Sequence, residues 1–253
     1  MSDDLIKAHL NLYAVLQNLE ELIHLDVEMA RLTQDWDITI QFVVRNGPAA
    51  SLTFKSGRCR HQVGRHASPT VKLYFLSPGH LNAMFDGKGT PIPLRGFTRL
   101  GFMSKDFARL TDRLAHYLKP DDRRLADEAY VRINTILTLN TAFHAVKELA
   151  LLEPVSKGIA AQIPRGGLQV EIMPDGPRVG ITFEAGNITV RKGVMEKPMA
   201  KMVFKDLRTA NALLTGKLNA FLAVAQGDIL LQGQIPIIDN VSLILDRVPA
   251  YLS

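Results

Sequence analysis

Apolar residues recur at helical spacing at the start of the chain and again about half-way along it. Between Asp4 and Leu32 they are Leu5, Ile6, Leu10, Tyr13, Leu16, Leu19, Ile23 and Val27; between Val131 and Ala160 they are Ile133, Leu137, Phe143, Val146 and Leu149. Each stretch is expected to be helical. Beyond the second, Leu168 to Met173 alternates as a strand, Asp175 to Pro177 is a turn, and Val179 to Gly186 and Asn187 to Gly193 are two more strands of a hairpin meander. Lys201 to Phe204 makes a further strand, and Asp206 caps a short helix that Gly216 stops. Leu218 to Gln226 then reads as an amphipathic helix, Gly227 to Gly233 as a strand between glycines, and Ile235 to Val248 as a closing helix. The expected product is an α+β domain, a curved antiparallel-rich sheet covered on one face by helices.

The pattern occurs twice. Asn46 to Lys88 aligns with Asp175 to Lys217 without a gap, and about 13 of about 43 positions are identical. The shared residues include Gly47 with Gly176, Phe54 with Phe183, Gly57 with Gly186, Pro69 with Pro198, Phe75 with Phe204, and Gly87-Lys88 with Gly216-Lys217. Glycines coincide where turns need positive φ, and apolar residues where strands need inward side chains. Pro120 followed by Asp121 and Asp122 supplies a stop and an acidic start, so the boundary is placed near residue 120. The expectation is two tandem copies of one domain, residues 1–120 and 121–253.

Composition narrows the function classes. Of 253 residues 47% are hydrophobic and 22% charged, the balance of a folded globular chain. No apolar run reaches the roughly 18 residues of a membrane span, and two aspartates stand at the start where a secretory leader carries positive charge. A cytoplasmic protein is expected, in agreement with a lone cysteine, Cys59. The net charge of +5 comes without a run of five like charges, so no nucleic-acid partner is expected. A basic face meeting an anionic membrane surface is compatible with it.

The second copy's ordered set of Ile181, Phe183, Gly186, Ile188 and Val190, then Gly216-Lys217-Leu218, then Gly227, Ile229, Leu231 and Gly233 resembles the sterol carrier protein type 2 family of lipid-binding domains, over about residues 168 to 250. The resemblance implies an apolar tunnel between sheet and helices that holds a long-chain lipid: a fatty acid, acyl-CoA, sterol or isoprenoid. Its expected lining is Phe183, Ile188, Val190 and Phe204 on the strands, Leu214, Leu218, Phe221 and Leu222 on the helices after them, and Ile229, Leu231, Val241 and Leu245 beyond. Plain core packing competes with ligand contact at each of these positions. The first copy departs after Lys88, where Gly89, Pro91 and Pro93 replace helix-forming residues, so an extended stretch and no ordinary helical lid are expected there.

Chemistry is sparse. The chain has no GxSxG elbow, no HExxH helix and no phosphate-binding loop. Arg58, Arg60, His61, Arg65 and His66 could meet lipid phosphates or coenzyme A, or form a charged hairpin edge. Cys59, His61 and His66 lack a fourth ligand at recognisable spacing, so no metal or other cofactor is expected. Cys59 and His61 align with Ile188 and Val190 and should face inward. The leading expectation is a non-catalytic lipid carrier. The alternatives are an accessory scaffold with closed tunnels that docks a lipid-modifying enzyme, and an enzyme acting on an acyl or isoprenoid substrate.

Overall fold

In the computed structural model, which describes residues 2–163, 165–184 and 186–252, several helices begin where a side chain can accept free backbone amides. The Ser2 hydroxyl accepts from Leu5 at the head of α1 (Asp3–Leu10). The path continues through a π turn and a 3-10 turn into α2 (Leu19–Leu25). Asp26 then breaks the run and caps α3 (Val27–Thr33) by accepting the amides of Glu28 and Met29. A cap of this kind contributes about 1 kcal/mol. Among the described residues no helix is long and apolar enough to cross a membrane.

The described residues divide into two compact units, the first ending at Lys119 and the second running from Pro120 to Tyr251. In the first, strands β1 (Ile38–Val44), β2 (Ala49–Lys55), β3 (Arg58–Val63) and β4 (Val71–Phe75) lead to helix α4 (Pro78–Phe85), then to β5 (Ile92–Arg95), a short turn of helix α5 (Leu100–Phe102) and the closing helix α6 (Ala108–Leu118). The sheet order is β3-β2-β1-β4-β5. The second unit opens with α7 (Glu128–Leu152) and α8 (Pro154–Ala160) and continues through β6 (Gly166–Ile172), β7 (Arg178–Glu184), β8 (Asn187–Lys192) and β9 (Ala200–Phe204). It continues with α9 (Leu207–Leu214), α10 (Ala220–Ala225), β10 (Ile229–Gly233) and α11 (Ile235–Leu245), and a short turn of helix, α12 (Pro249–Leu252), follows. Its order is β10-β9-β6-β7-β8.

Both sheets are mixed. β4 runs parallel to β1, and β9 parallel to β6, while every other pairing is antiparallel. The meander leaves β3 at one edge, and the fourth strand is added on the far side, beyond β1, so residues 64–70 cross over the sheet. A buried glutamine holds each crossover. Gln41 donates to the carbonyls of Phe42, Ala50 and Gly64 and accepts the His66 amide. Gln169 donates to Val170, Val179 and Gly193 and accepts the Met195 amide.

A second buried polar device ties the first helices to the last. The Asp26 carboxylate accepts from Arg113 Nε at 2.6 Å and from the Tyr117 hydroxyl at 3.0 Å, both on α6. Glu153, the cap of α8, accepts from two nitrogens of Arg247, just past α11, at 3.0 and 2.7 Å. Burial pushes the Asp26 carboxyl upward, but Arg113, the Met29 amide and Tyr117 outweigh it and hold the group below its ordinary value. Burial acts the same way on Glu153, and Arg247 and Ser156 reverse it, bringing the carboxyl down to about 2.

The units diverge after α4 and α9. Pro91 and Pro93 keep the first chain extended, and it enters β5 directly; Pro93 is tolerated because β5 is an edge strand. The second chain inserts α10, with Asn219 accepting the Leu222 amide, before it reaches β10.

Candidate functional site

One face of the second sheet gathers most of the residues singled out from the sequence. Phe183 pairs with Ile188 and Ile181 with Val190, while Phe204 pairs with Ile229 and Met202 with Leu231. Side chains alternate along a strand, so all of these share the face on which α7, α9, α10 and α11 pack. Phe183, Ile188, Phe204, Ile229 and Val241 are buried there. Val190, Leu214, Leu218, Leu231 and Leu245 are half-buried, as is Met202, which sequence reasoning did not single out.

Phe221 and Leu222 are elsewhere, 90% and 54% exposed. This corrects the expectation that they line one tunnel together with Phe183, Ile188 and Val190. Helix α10 has six residues, between the Asn219 cap and a left-handed turn at Gly227 (φ +77°). It is therefore about 9 Å long, or about two strand spacings. It packs against β10 with Ala223 as its buried side chain, and from that edge it cannot reach β7 and β8 on the other side of the sheet. Its apolar side chains Phe221, Leu222 and Val224 face solvent instead.

A cleft of about 240 Å3 in this unit lies to one side, between α7 and α9, lined by Val131, Arg208, Asn211 and Lys217 among others. Ion pairs of Arg208 with Glu128 and Lys217 with Asp122 border it. It does not overlie the sheet residues named above.

In the first unit the equivalent space is filled by aromatic rings. Trp36 meets Phe54 and Phe102 edge-on at 5.0 and 4.7 Å between centroids, and Phe107 lies 6.4 Å from Phe54 and 6.5 Å from Phe42. Phe42 and Val170 follow the structural glutamine of their strands by one residue, so a large ring in one sheet corresponds to a small side chain in the other. Cys59 pairs with Phe54 and His61 with Leu52, facing the helices as expected. Burial, with Glu20 adding to it, pushes the Cys59 thiol far up, which disfavours its thiolate. His61 Nε2 lies 2.8 Å from the Leu12 carbonyl, and the His61 amide donates to Glu20. His66 belongs to the crossover on the opposite face and does not join them.

Sequence reasoning missed the two glutamines and the two carboxylate–arginine ties. The glutamines left a signal, a side-chain amide in the middle of a largely apolar strand, present in both ITIQFVV and LQVEIM.

No family model matches the chain, and no curated protein matches it. Among solved structures, one described as a UbiJ-SCP2 ubiquinone synthesis protein is 14% identical over 41% of this chain and 92% of its own, with a TM-score of 0.33. The sterol carrier protein domain 2 of Helicoverpa armigera is 19% identical over 44% of this chain and 87% of its own, with a TM-score of 0.35. A sec-alkylsulfatase from a Pseudomonas species is 14% identical over 57% of this chain and 28% of its own, at a TM-score of 0.26. Likeness at this level carries no inference about what this chain does.

Proposed function

We propose that the chain is a tandem duplication of one lipid-binding domain, that it carries a long-chain lipid against the helix-side face of the second sheet, and that it performs no chemical step of its own. The observation that carries this reading is the incomplete cover of that face. Met202 and Leu231, paired across β9 and β10, remain half-exposed, while α10, which packs on β10, holds Phe221 and Leu222 in solvent. Apolar surface on both a sheet edge and a helix next to it favours an apolar guest. Each methylene buried contributes roughly 0.8 kcal/mol, so an acyl chain of about 16 carbons gains on the order of 10 kcal/mol before ordering costs. The repeated strand order, glutamine-held crossovers and helix ties support the duplication.

Organic extraction of the purified protein followed by mass spectrometry tests the reading, with displacement of a fluorescent fatty acid as its quantitative arm. Leu231→Asn and Met202→Asn are expected to weaken binding about tenfold to a hundredfold, because each sets an amide against acyl methylenes at a cost of roughly 1 to 3 kcal/mol. Unchanged binding in both folded variants sinks the second-unit site.

A second reading attaches to the first unit, whose aromatic filling suits a docking module for a lipid-modifying enzyme better than a carrier. On this reading the protein works in the cytoplasm, and its basic balance gives weak attraction to anionic membranes. Vesicle flotation that ignores both lipid charge and salt contradicts the membrane part.

A further inference from the structure

The helix-free face of the first sheet holds a cleft of about 360 Å3 whose charged lining is entirely basic, Arg65, Lys72 and Arg95, with His66 beside them. Its construction follows from strand register. Gln41 is the neighbour of Lys72 across β1 and β4, and Lys72 is the neighbour of Arg95 across β4 and β5, so the three side chains form a row on one face. The crossover brings Arg65 and His66 over that row. It is fixed there by Gln41, which accepts the His66 amide and donates to the Gly64 carbonyl. Val43 and Leu94 add apolar lining.

Arg65, Lys72 and Arg95 have no ion-pair partner among the described residues, and no carboxylate lines the cleft. Bringing like charges together without a counter-charge is unfavourable unless a ligand supplies it. The fold itself does not require the arrangement, as the second unit demonstrates. There the row is Gln169, Lys201 and Gln232, and the crossover carries Val194 and Met195 in place of Arg65 and His66. Glu171 stands two residues after Gln169, as Val43 does after Gln41, with its carboxylate 3.7 Å from Lys201. Met195 also lies against Gly167 and Gly180, so closely that a Cβ at Gly180 would come within 2.3 Å of its sulfur. The same face is thus basic and open in one unit, and neutralised and plugged in the other.

We infer that the cleft of the first unit is a binding site for a phosphate group, carried by a molecule small enough for about 360 Å3 and with a short apolar portion against Val43 and Leu94. Two guanidinium groups suit the planar, multiple hydrogen bonding of phosphate oxygens, and Lys72 supplies a compact charge between them. A soluble phosphate ester and a phospholipid head group share this chemistry.

Calorimetric titration of the full chain with inorganic pyrophosphate, and flotation with phosphatidylcholine vesicles containing phosphatidic acid, test the site. Lys72→Gln combined with Arg95→Gln is expected to weaken pyrophosphate binding by at least about tenfold. Lys201→Gln, at the matching place in the second unit, leaves it unchanged, and thermal melts check that all variants stay folded. Vesicle binding that the same pair of substitutions abolishes and pyrophosphate displaces assigns the site to a lipid head group. Pyrophosphate binding without vesicle binding assigns it to a soluble phosphate ester. Absent pyrophosphate binding, or binding weakened as much by Lys201→Gln as by the paired change, overturns the inference.

Discussion

The two units have the same strand order and the same helix-to-helix ties, yet they close the space between sheet and helices differently. In the first, Trp36, Phe42, Phe54, Phe102 and Phe107 meet ring to ring. In the second, Val170 stands at the place of Phe42, and Met202 and Leu231 are left half-covered. Topology therefore does not decide how such a space is filled. A few side-chain volumes decide it, because interiors are close-packed and a ring either fills a gap or leaves it. The outer faces are reversed: the first unit is open and basic there, the second plugged by Met195.

The largest test of this contrast is removal of a ring. Phe54→Ala is expected to cost about 3 to 5 kcal/mol, because Phe54 is fully buried between Trp36 and Phe107. Phe183→Ala, on a sheet with fewer rings around it, should fall near the bottom of that range, at about 3 kcal/mol or less. Urea unfolding measures both. Fluorescence of Trp36, the only tryptophan, reports the first unit, and circular dichroism follows the whole chain. Equal losses would erase the difference in packing.

The next effect probes what the units share. Glu153 has a folded-state value of about 2 against an ordinary 4.5, so the unfolded chain binds its proton more readily. The tie therefore stabilises fully above about pH 4.5 and is lost as pH falls toward 2, an effect on the order of 2 kcal/mol. Arg247→Gln should remove most of that slope. An acid-unfolding profile unaltered by the change contradicts the role given to the pair.

Val170→Phe copies the first unit's filling into the second. It should weaken fatty-acid binding by about tenfold, with at most about 1 to 3 kcal/mol of overpacking cost. Full binding in that variant would separate side-chain volume from ligand capacity. The smallest effect is Phe221→Ser, expected to change stability by less than about 0.5 kcal/mol because the ring is 90% exposed. A large loss on thermal melting would mean that α10 lies against the sheet in solution.

Much of this was legible in the residues. The gapless repeat marks the matching strands, and Pro91 and Pro93 announce the extended stretch that becomes β5. Apolar spacing in Leu218 to Gln226 gave a helix but not its depth, because periodicity fixes which side chains share a face and says nothing about how far six residues reach. The parallel pairing of β4 with β1 was hidden for a related reason. Alternation is the same for either strand direction, and the crossover that sets it depends on Gln41, whose bonds to Ala50, Gly64 and His66 reach backbone distant in sequence. Arg113 and Arg247 read as surface charge until the fold brings them to Asp26 and Glu153.

Those ties also set an order of events during synthesis. Asp26 must wait for Arg113, 87 residues later, and Glu153 for Arg247, 94 residues later. Each unit is therefore closed by its last helix. Chains fold domain by domain from the N-terminus as they emerge, so the first unit can fasten its ends while the second still lacks α11. The partners of each tie lie within one unit, so each closure needs nothing from the other.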